Sequence, residues 1–143
     1  MAARAIAGGL IDEEAVVTVS GRTRSRATEL AAELGCQEIG WENRGAQFAD
    51  VLVNCTPVGM HPEVNETPFQ HQWLGDHTLV FDTVYNPENT LLLKQARERG
   101  CPTVSGIEMF VRQAALQYDQ FTGRPAPLDV MRKTLRQGIS AIR

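Results

Sequence analysis

The chain has 143 residues, of which 43% are hydrophobic and 22% are charged, a balance typical of one soluble globular domain. Its net charge of −3 argues against non-specific nucleic-acid binding, and no apolar run approaches the roughly 20 residues that span a bilayer. The three cysteines, Cys36, Cys55 and Cys101, form no metal or redox motif, which predicts a reducing, cytoplasmic location.

The sequence predicts neither a metal site nor a signal peptide. The histidines at positions 61, 71 and 77 lack the spacing of metal ligands, so the sequence predicts no metal site. Gly8 and Gly9 interrupt the first apolar residues too early for a signal peptide.

In the first third of the chain, a β-branched run of strand length stands between two helical patterns, and Gly21 and Gly35 mark element ends. The predicted elements are a helix over 2–10, a strand over 15–20, a helix over 25–34, an edge strand at 38–39 and a loop or short helix over 40–47.

The stretch from Val51 to Met60 changes character abruptly. It opens as a short apolar run typical of a buried strand, becomes polar at Asn54, and then contains a Pro and a Gly that prevent easy continuation. In open α/β sheets, ligands bind beyond the carboxyl ends of the strands, so this stretch is a candidate site. The alternative is a strand followed by an ordinary turn.

The rest of the chain continues the alternation of strands and helices, which predicts an α/β fold with a mainly parallel sheet flanked by helices. The predicted elements are a long loop over 61–77 with a helical turn near 69–74, a strand over 78–82, a helix over 90–99, a strand over 102–105 and helices over 106–122 and 128–142.

Three arginines, Arg22, Arg24 and Arg26, lie within five residues at the start of the helix predicted over 25–34. In dinucleotide-binding folds this position meets the adenosine ribose, where an acidic residue selects NAD and arginine accommodates the 2′-phosphate of NADP. Arginines and a helix N-terminus both favour phosphate, so the pattern predicts a phosphate site. The alternative is a solvated basic helix end.

Two more strand ends carry candidate residues. Tyr85 follows the strand over 78–82 and has a hydroxyl that could bind a hydroxylated substrate. Gly106 opens a helix where the backbone could approach a ring closely, and Gln113 lies two turns further on. A half-buried tyrosine and a solvated glutamine are the alternatives. From the residues alone, we predict a mononucleotide-binding domain and no particular reaction.

Taken together and in order, these motifs resemble the NADP-binding, C-terminal domain of shikimate dehydrogenases. The region from Glu108 to Ala114, with Phe121-Thr122-Gly123, looks most like the forms fused to a 3-dehydroquinate dehydratase. The matching residues are Ala2-Ala3-Arg4-Ala5, Gly21-Arg22-Thr23, Arg26-Ala27, Asn54 to Met60, Asp82, Tyr85, Pro87, Thr90, Leu92, Leu93, Gly106, Met109, Gln113 and Ala114.

The resemblance implies a Rossmann-like domain over 1–143 that serves an NADPH-dependent reduction of 3-dehydroshikimate to shikimate, a step of chorismate and aromatic amino acid biosynthesis. It implies three groups of site residues. They are Gly21, Arg22, Thr23 and Arg26 around the 2′-phosphate end of NADP, Thr56, Thr83 and Gly106 along the path to the nicotinamide, and Tyr85 and Gln113 against the shikimate ring.

The chain also departs from the family pattern. Gly21 stands where the family usually has Asn, which removes one adenosine contact, and Met1 falls where the last Gly of the phosphate loop is expected. The first strand, the rest of that loop and the substrate domain, which carries the family's catalytic Lys and Asp, have no counterpart. We therefore assign no catalytic residue and expect the chain alone to be inactive, with the missing domain as its partner in cis or in trans.

Loss of a first strand would leave the inner edges of two strands unpaired, the one over 15–20 and the one that opens at Val51. Those two strands could pair directly, another chain could fill the gap, or Met1 could be a boundary within a longer protein, which we favour. Two other functions stay open: a non-catalytic nucleotide-binding or interaction domain, and a quinate dehydrogenase of the same family.

Overall fold

The structure, a computed structural model, describes residues 2–141 and alternates helices with short strands. Beside these elements, 3-10 turns lie at Trp41–Ala46 and His71–Trp73, where the sequence predicts short helical pieces. The elements are α1 (Ala2–Asp12), β1 (Thr18–Val19), α2 (Arg24–Leu34), β2 (Gln37–Glu38), β3 (Val51–Asn54), β4 (Leu79–Asp82), α3 (Leu91–Glu98), β5 (Thr103–Val104), α4 (Gly106–Thr122) and α5 (Leu128–Ala141).

The chain divides after Phe48 into two compact units. In the first unit, β1 and β2 pair in parallel, and the small residue Ala7 of α1 is buried. An ion pair of 2.7 Å between Arg4 and Glu33 joins α1 to α2. Helix α2 ends at Leu34, and the next residue, Gly35, has a φ of 67° that allows the left-handed turn that stops a helix.

The predicted strand over 15–20 is too long, because only Thr18 and Val19 form a ladder, opposite Gln37 and Glu38. Val16 is 88% exposed and pairs with no strand. A β-branched run adopts regular strand pairing only where a neighbour supplies the hydrogen bonds.

The second unit contains a three-stranded parallel sheet in the order β3–β4–β5. The predicted helix over 106–122 is confirmed at both ends, and α3 begins after Thr90, whose hydroxyl accepts a hydrogen bond from the Leu93 amide. The predicted end of the last helix at Ile142 lies outside the described residues. The core of this unit combines residues of β4, of α3 and of the loops before β4 and β5: Leu74, Val80, Leu92, Leu93, Ala96 and Cys101.

Within residues 2–141, strands β1 and β2 form the sheet of the first unit, and β3, β4 and β5 form the sheet of the second. Across the same residues, every helix is too short or too polar to cross a bilayer.

Candidate functional site

The carboxyl ends of β3 and β4 lie side by side and carry buried polar side chains. The strand register places Asn54 opposite Asp82, and these residues are only 4% and 0% exposed. Parallel strands end at the same edge of the sheet, which is where α/β folds bind ligands. Buried polar groups need hydrogen-bond partners, and the partners of these two define the candidate site.

The carboxylate of Asp82 is satisfied by three donors from three parts of the second unit. Its Oδ1 accepts from Asn54 Nδ2 at 3.0 Å and from the Val84 amide at 3.0 Å. Its Oδ2 accepts from the Thr90 hydroxyl at 2.7 Å. One side chain thus ties the end of β3, the loop after β4 and the first turn of α3 together.

Burial dominates the electrostatics of this network. Burial raises the pKa of Asp82 above its ordinary value, although the hydrogen bonds from Thr90, Val84 and Asn54 oppose that rise. Burial, and secondly the negative charge of Asp82, raise the pKa of the neighbouring Cys55 thiol to about 11. A raised pKa disfavours the thiolate, which is the nucleophilic form of cysteine.

Asn54 connects this network to the turn that follows β3 by further hydrogen bonds. Its Oδ1 accepts from the Thr56 amide at 2.9 Å and from the Thr56 hydroxyl at 2.7 Å. Its Nδ2 also lies 3.3 Å from the carbonyl oxygen of Val58. Gly59 closes the turn with a φ of 89°, and a Cβ there would lie 3.0 Å from the Glu66 carbonyl oxygen.

Thr83 is fixed at the neighbouring strand end. Both its amide and its hydroxyl donate to the carbonyl oxygen of Asn54, at 3.0 and 2.9 Å. The structure thus brings Thr56 and Thr83 together around Asn54, and both threonines stay half-buried. These are two of the three residues predicted along the nicotinamide path.

Gly106, the third of them, lies against the same loop. A Cβ at this position would be 2.5 Å from the carbonyl oxygens of Thr83 and Val84, closer than any side chain tolerates. The N-terminus of α4 therefore approaches the loop after β4 to a distance that only glycine permits.

Tyr85 and Gln113 are both exposed, and the described residues give neither side chain a hydrogen bond. The Tyr85 ring lies 5.1 Å from the ring of Phe110, with an angle of 47° between the ring planes. Phe110 and Gln113 are three residues apart on α4 and so share a face of that helix. The contact with Phe110 is absent from the sequence-based predictions, because nothing along the chain indicates that these two rings meet.

The basic residues predicted to bind phosphate lie in the first unit, at the N-terminus of α2. Arg22, Arg24 and Arg26 are exposed, and none forms an ion pair with the described residues. Thr23 is the N-cap of the helix, yet its side chain makes no capping hydrogen bond. Positive charge, a helix N-terminus and an unused cap make this end of α2 suited to an anion.

Gly21, just before this segment, leaves ordinary space beside its backbone. A Cβ there would lie 3.6 Å from the Ala27 Cβ, a normal van der Waals contact. The position where the resembling family has Asn could therefore hold a side chain without distortion.

Two grooves lie elsewhere on the second unit, and neither is lined by Thr56, Thr83 or Gln113. One, of about 340 Å³, is apolar and runs between α4 and α5 beside Phe110. The other, of about 780 Å³, is bordered by Lys94 and Arg136. Within residues 2–141, no three His, Cys, Asp or Glu side chains are grouped to hold a metal ion.

Comparison with known proteins finds shikimate dehydrogenases that match most of the chain. The family profile described as "Shikimate 5'-dehydrogenase C-terminal domain" matches residues 106–136. The chloroplastic bifunctional 3-dehydroquinate dehydratase/shikimate dehydrogenase of Arabidopsis thaliana is 44% identical over 132 residues, which are 90% of this chain and 22% of that protein.

Two solved structures are similar in fold. Shikimate 5-dehydrogenase of Thermus thermophilus, in complex with NADP(H) and shikimate, superposes with a TM-score of 0.86 at 30% identity, over 95% of this chain and 51% of the other. Quinate dehydrogenase of Corynebacterium glutamicum, in complex with NAD, superposes with a TM-score of 0.83 at 33% identity. The match covers 92% of this chain and 50% of the other.

The chain thus spans about half the length of these two enzymes. The profile covers all of α4 and most of α5, and the relatives extend the match to the strands whose ends form the candidate site. The predicted α/β class with parallel strands flanked by helices is confirmed by these neighbours. From its motifs, its fold and its relatives, the chain belongs to the shikimate dehydrogenase family as a C-terminal domain.

Proposed function

We propose that this chain is the NADP-binding part of an enzyme that reduces 3-dehydroshikimate to shikimate with NADPH. The observation that carries the proposal is the N-terminus of α2, where three exposed arginines have no acidic partner among the described residues. The 2′-phosphate of NADP is negatively charged and can pair with these arginines, whereas the 2′-hydroxyl of NAD is neutral. The relatives, which include an enzyme solved with NADP(H), support the same cofactor.

We assign the residues by the part of the ligand that each would contact. NADPH supplies the hydride when bound, and the chain supplies position and polarity. The assignment is Gly21, Arg22, Thr23 and Arg26 for the 2′-phosphate end, Thr56, Thr83 and Gly106 for the nicotinamide side, and Tyr85 and Gln113 for the substrate ring.

The proposal gives this chain no acid or base for the proton step. Asp82 is fully buried and already accepts from three donors, and the high pKa of Cys55 keeps its thiol neutral. By resemblance, a Lys and an Asp of a substrate domain would serve that step, in the same polypeptide or in a partner. The free cysteines agree with a reducing compartment, and we propose the cytoplasm.

The assignment of the 2′-phosphate is tested by titrating the chain with NADP⁺ and with NAD⁺. Arg22→Ala should weaken NADP⁺ binding by about 1.5–3 kcal/mol, the range for a lost hydrogen bond to a charged group, and should leave NAD⁺ binding unchanged. Arg24→Ala is the matched control, since Arg24 belongs to the same segment but is not assigned to the phosphate. Equal affinity for the two nucleotides, or no loss in Arg22→Ala, would contradict the assignment.

A quinate dehydrogenase is the second candidate, favoured by the similarity to the Corynebacterium enzyme solved with NAD. The same titration separates the two, because a preference for NAD⁺ would support the quinate enzyme. The non-catalytic alternative depends on what is encoded upstream of Met1. An in-frame domain with Lys and Asp supports the enzyme, whereas an immediate stop codon supports a binding module.

A further inference from the structure

Asp82 fixes the direction of a chain of hydrogen bonds that none of the assigned roles uses. Asp82 Oδ1 accepts from the Val84 amide, and Asn54 turns its amide nitrogen toward the same oxygen. The oxygen of the same amide then faces Thr56, where it accepts from both the amide and the hydroxyl. The acceptor oxygen of Asp82 thereby sets which way the Asn54 amide is turned.

The Asn54 side chain fixes the polarity of Thr56, and the Asn54 backbone carbonyl fixes that of Thr83. The Thr56 hydroxyl donates its one proton to Asn54 Oδ1 and accepts a hydrogen bond of 3.3 Å from the Val58 amide. One lone pair of the hydroxyl oxygen is left for a ligand. The Thr83 hydroxyl spends its proton on the Asn54 carbonyl oxygen. Both hydroxyls therefore offer a ligand only acceptor oxygens.

We propose that Asp82 is a positioning residue for the nicotinamide half of the cofactor. Through Asn54 and the Val84 amide, it holds the loops after β3 and β4 so that Thr56 and Thr83 present acceptors to hydrogen-bond donors of the ligand. The donors available in that half are the carboxamide NH₂ and the ribose hydroxyls. This inference rests on the proposed function, and it adds the polarity of the site and the residue that sets it.

The two oxygens of Asp82 have separable tasks. Oδ1 serves Asn54 and Val84 beside the proposed site, whereas Oδ2 serves only Thr90. Thr90 in turn caps α3 by accepting from the Leu93 amide. A Thr90→Val variant therefore disturbs the same carboxylate and the stability of α3, but leaves the Oδ1 contacts in place.

The test compares the affinities of the chain for NADP⁺ and for adenosine 2′,5′-bisphosphate, which lacks the nicotinamide half. Asp82→Ala should weaken NADP⁺ binding by about tenfold, the effect of losing one or two buried hydrogen bonds, with the bisphosphate unaffected. Thr90→Val should lower the melting temperature without changing the ratio of the two affinities. Asp82→Asn should keep most of the ratio, because its amide oxygen still accepts from Val84 and Asn54 while its NH₂ can donate to Thr90.

A second variant and a second ligand make the test independent of the folding of Asp82→Ala. Thr56→Val removes an acceptor directly and should lower only the NADP⁺ affinity, whereas Thr56→Ser should retain it. The 3-acetylpyridine analogue of NADP⁺ lacks the carboxamide NH₂. Weaker binding of this analogue identifies the carboxamide as the donor, and equal binding identifies the ribose hydroxyls.

Three results would overturn the inference. One is equal wild-type affinity for NADP⁺ and the bisphosphate, and another is a Thr56→Val variant that binds NADP⁺ like the wild type. The third is an equal loss of affinity for both ligands in the Asp82→Ala and Thr90→Val variants. That result would show that Asp82 has only a structural role. In each case the proposed function survives, whereas a wild-type chain that binds neither ligand would refute both.

Discussion

At the scale of single residues, the candidate site depends on how closely the backbone of α4 approaches the loop after β4. Gly106 is buried, and the space for a Cβ is already filled by the carbonyl oxygens of Thr83 and Val84. Backbone atoms cannot rotate away as a flexible side chain would. A methyl group here must move either the helix or the loop that carries Thr83 and Tyr85.

Gly106→Ala should therefore destabilise the fold by about 1–3 kcal/mol, the usual effect of overpacking, and should also weaken NADP⁺ binding. Urea unfolding measures the first effect and titration the second. Gly138→Ala in α5 is the control, since no atom lies within 4 Å of the added Cβ. In the control, loss of a helical glycine should raise stability by about 0.5–1 kcal/mol. Equal changes in stability and in NADP⁺ affinity for the two variants would show that α4 does not approach the loop after β4 this closely.

At the scale of elements, two arginine–glutamate pairs join α5 to the rest of the second unit. Arg132 of α5 donates to both carboxylate oxygens of Glu108 on α4, at 2.7 and 3.0 Å. Arg136, one turn later, makes the same kind of paired contact with Glu88. The hydrogen bonds from Arg132, more than its charge, lower the pKa of Glu108 below the ordinary value of 4.5.

The lowered pKa makes the docking of α5 sensitive to acid. The folded chain keeps the Glu108 carboxylate ionised to a lower pH than the unfolded chain does, so the pair stabilises the fold above about pH 4.5. That contribution should be lost as pH falls through the lowered pKa, and Glu108→Gln should lack this part of the pH dependence. Urea unfolding across the acidic range measures the difference. Glu98→Gln, at an exposed position of α3, should follow the wild type; if Glu108→Gln does as well, the pair does not stabilise α5.

At the scale of the whole molecule, the chain has proposed binding residues but no assigned catalytic pair. It spans about half the length of its solved relatives, and the strand-end carboxylate that it does contain is buried and satisfied. A hydride carrier can be bound and oriented by such a chain, but the proton of the substrate hydroxyl has no acceptor in the roles assigned here.

We expect the 143-residue chain alone to show no shikimate-dependent reduction of NADP⁺, followed by NADPH absorbance. The control is nucleotide binding under the same conditions, which shows that the chain is folded and able to bind. Turnover above that of a buffer blank would refute the expectation. It would also require an acid–base group that we have not assigned.

Sequence patterns predict helices better than strands in this protein, and the reason is physical. The bounds of α4 follow from Gly106 and Gly123, which mark its ends in the sequence. The strand over 15–20 shrinks to two residues because its length depends on a partner elsewhere in the chain. Thr56, Thr83 and Gly106 were expected at strand ends. The roles of Asp82 and Thr90 were not, because they depend on the register between β3 and β4 and on the packing of α3.

Among the described residues, Arg22, Arg24 and Arg26 have no acidic partner, so the phosphate binding that we propose for this segment should depend on ionic strength. Exposed charges more than about 8–10 Å apart are screened at physiological salt, and closer ones only partly. Mutual repulsion of three guanidinium groups in one short segment falls as salt rises, and so does their attraction for a 2′-phosphate. The proposed preference for NADP⁺ over NAD⁺ should therefore not be a fixed constant of the chain. We expect it to fall as the salt concentration rises.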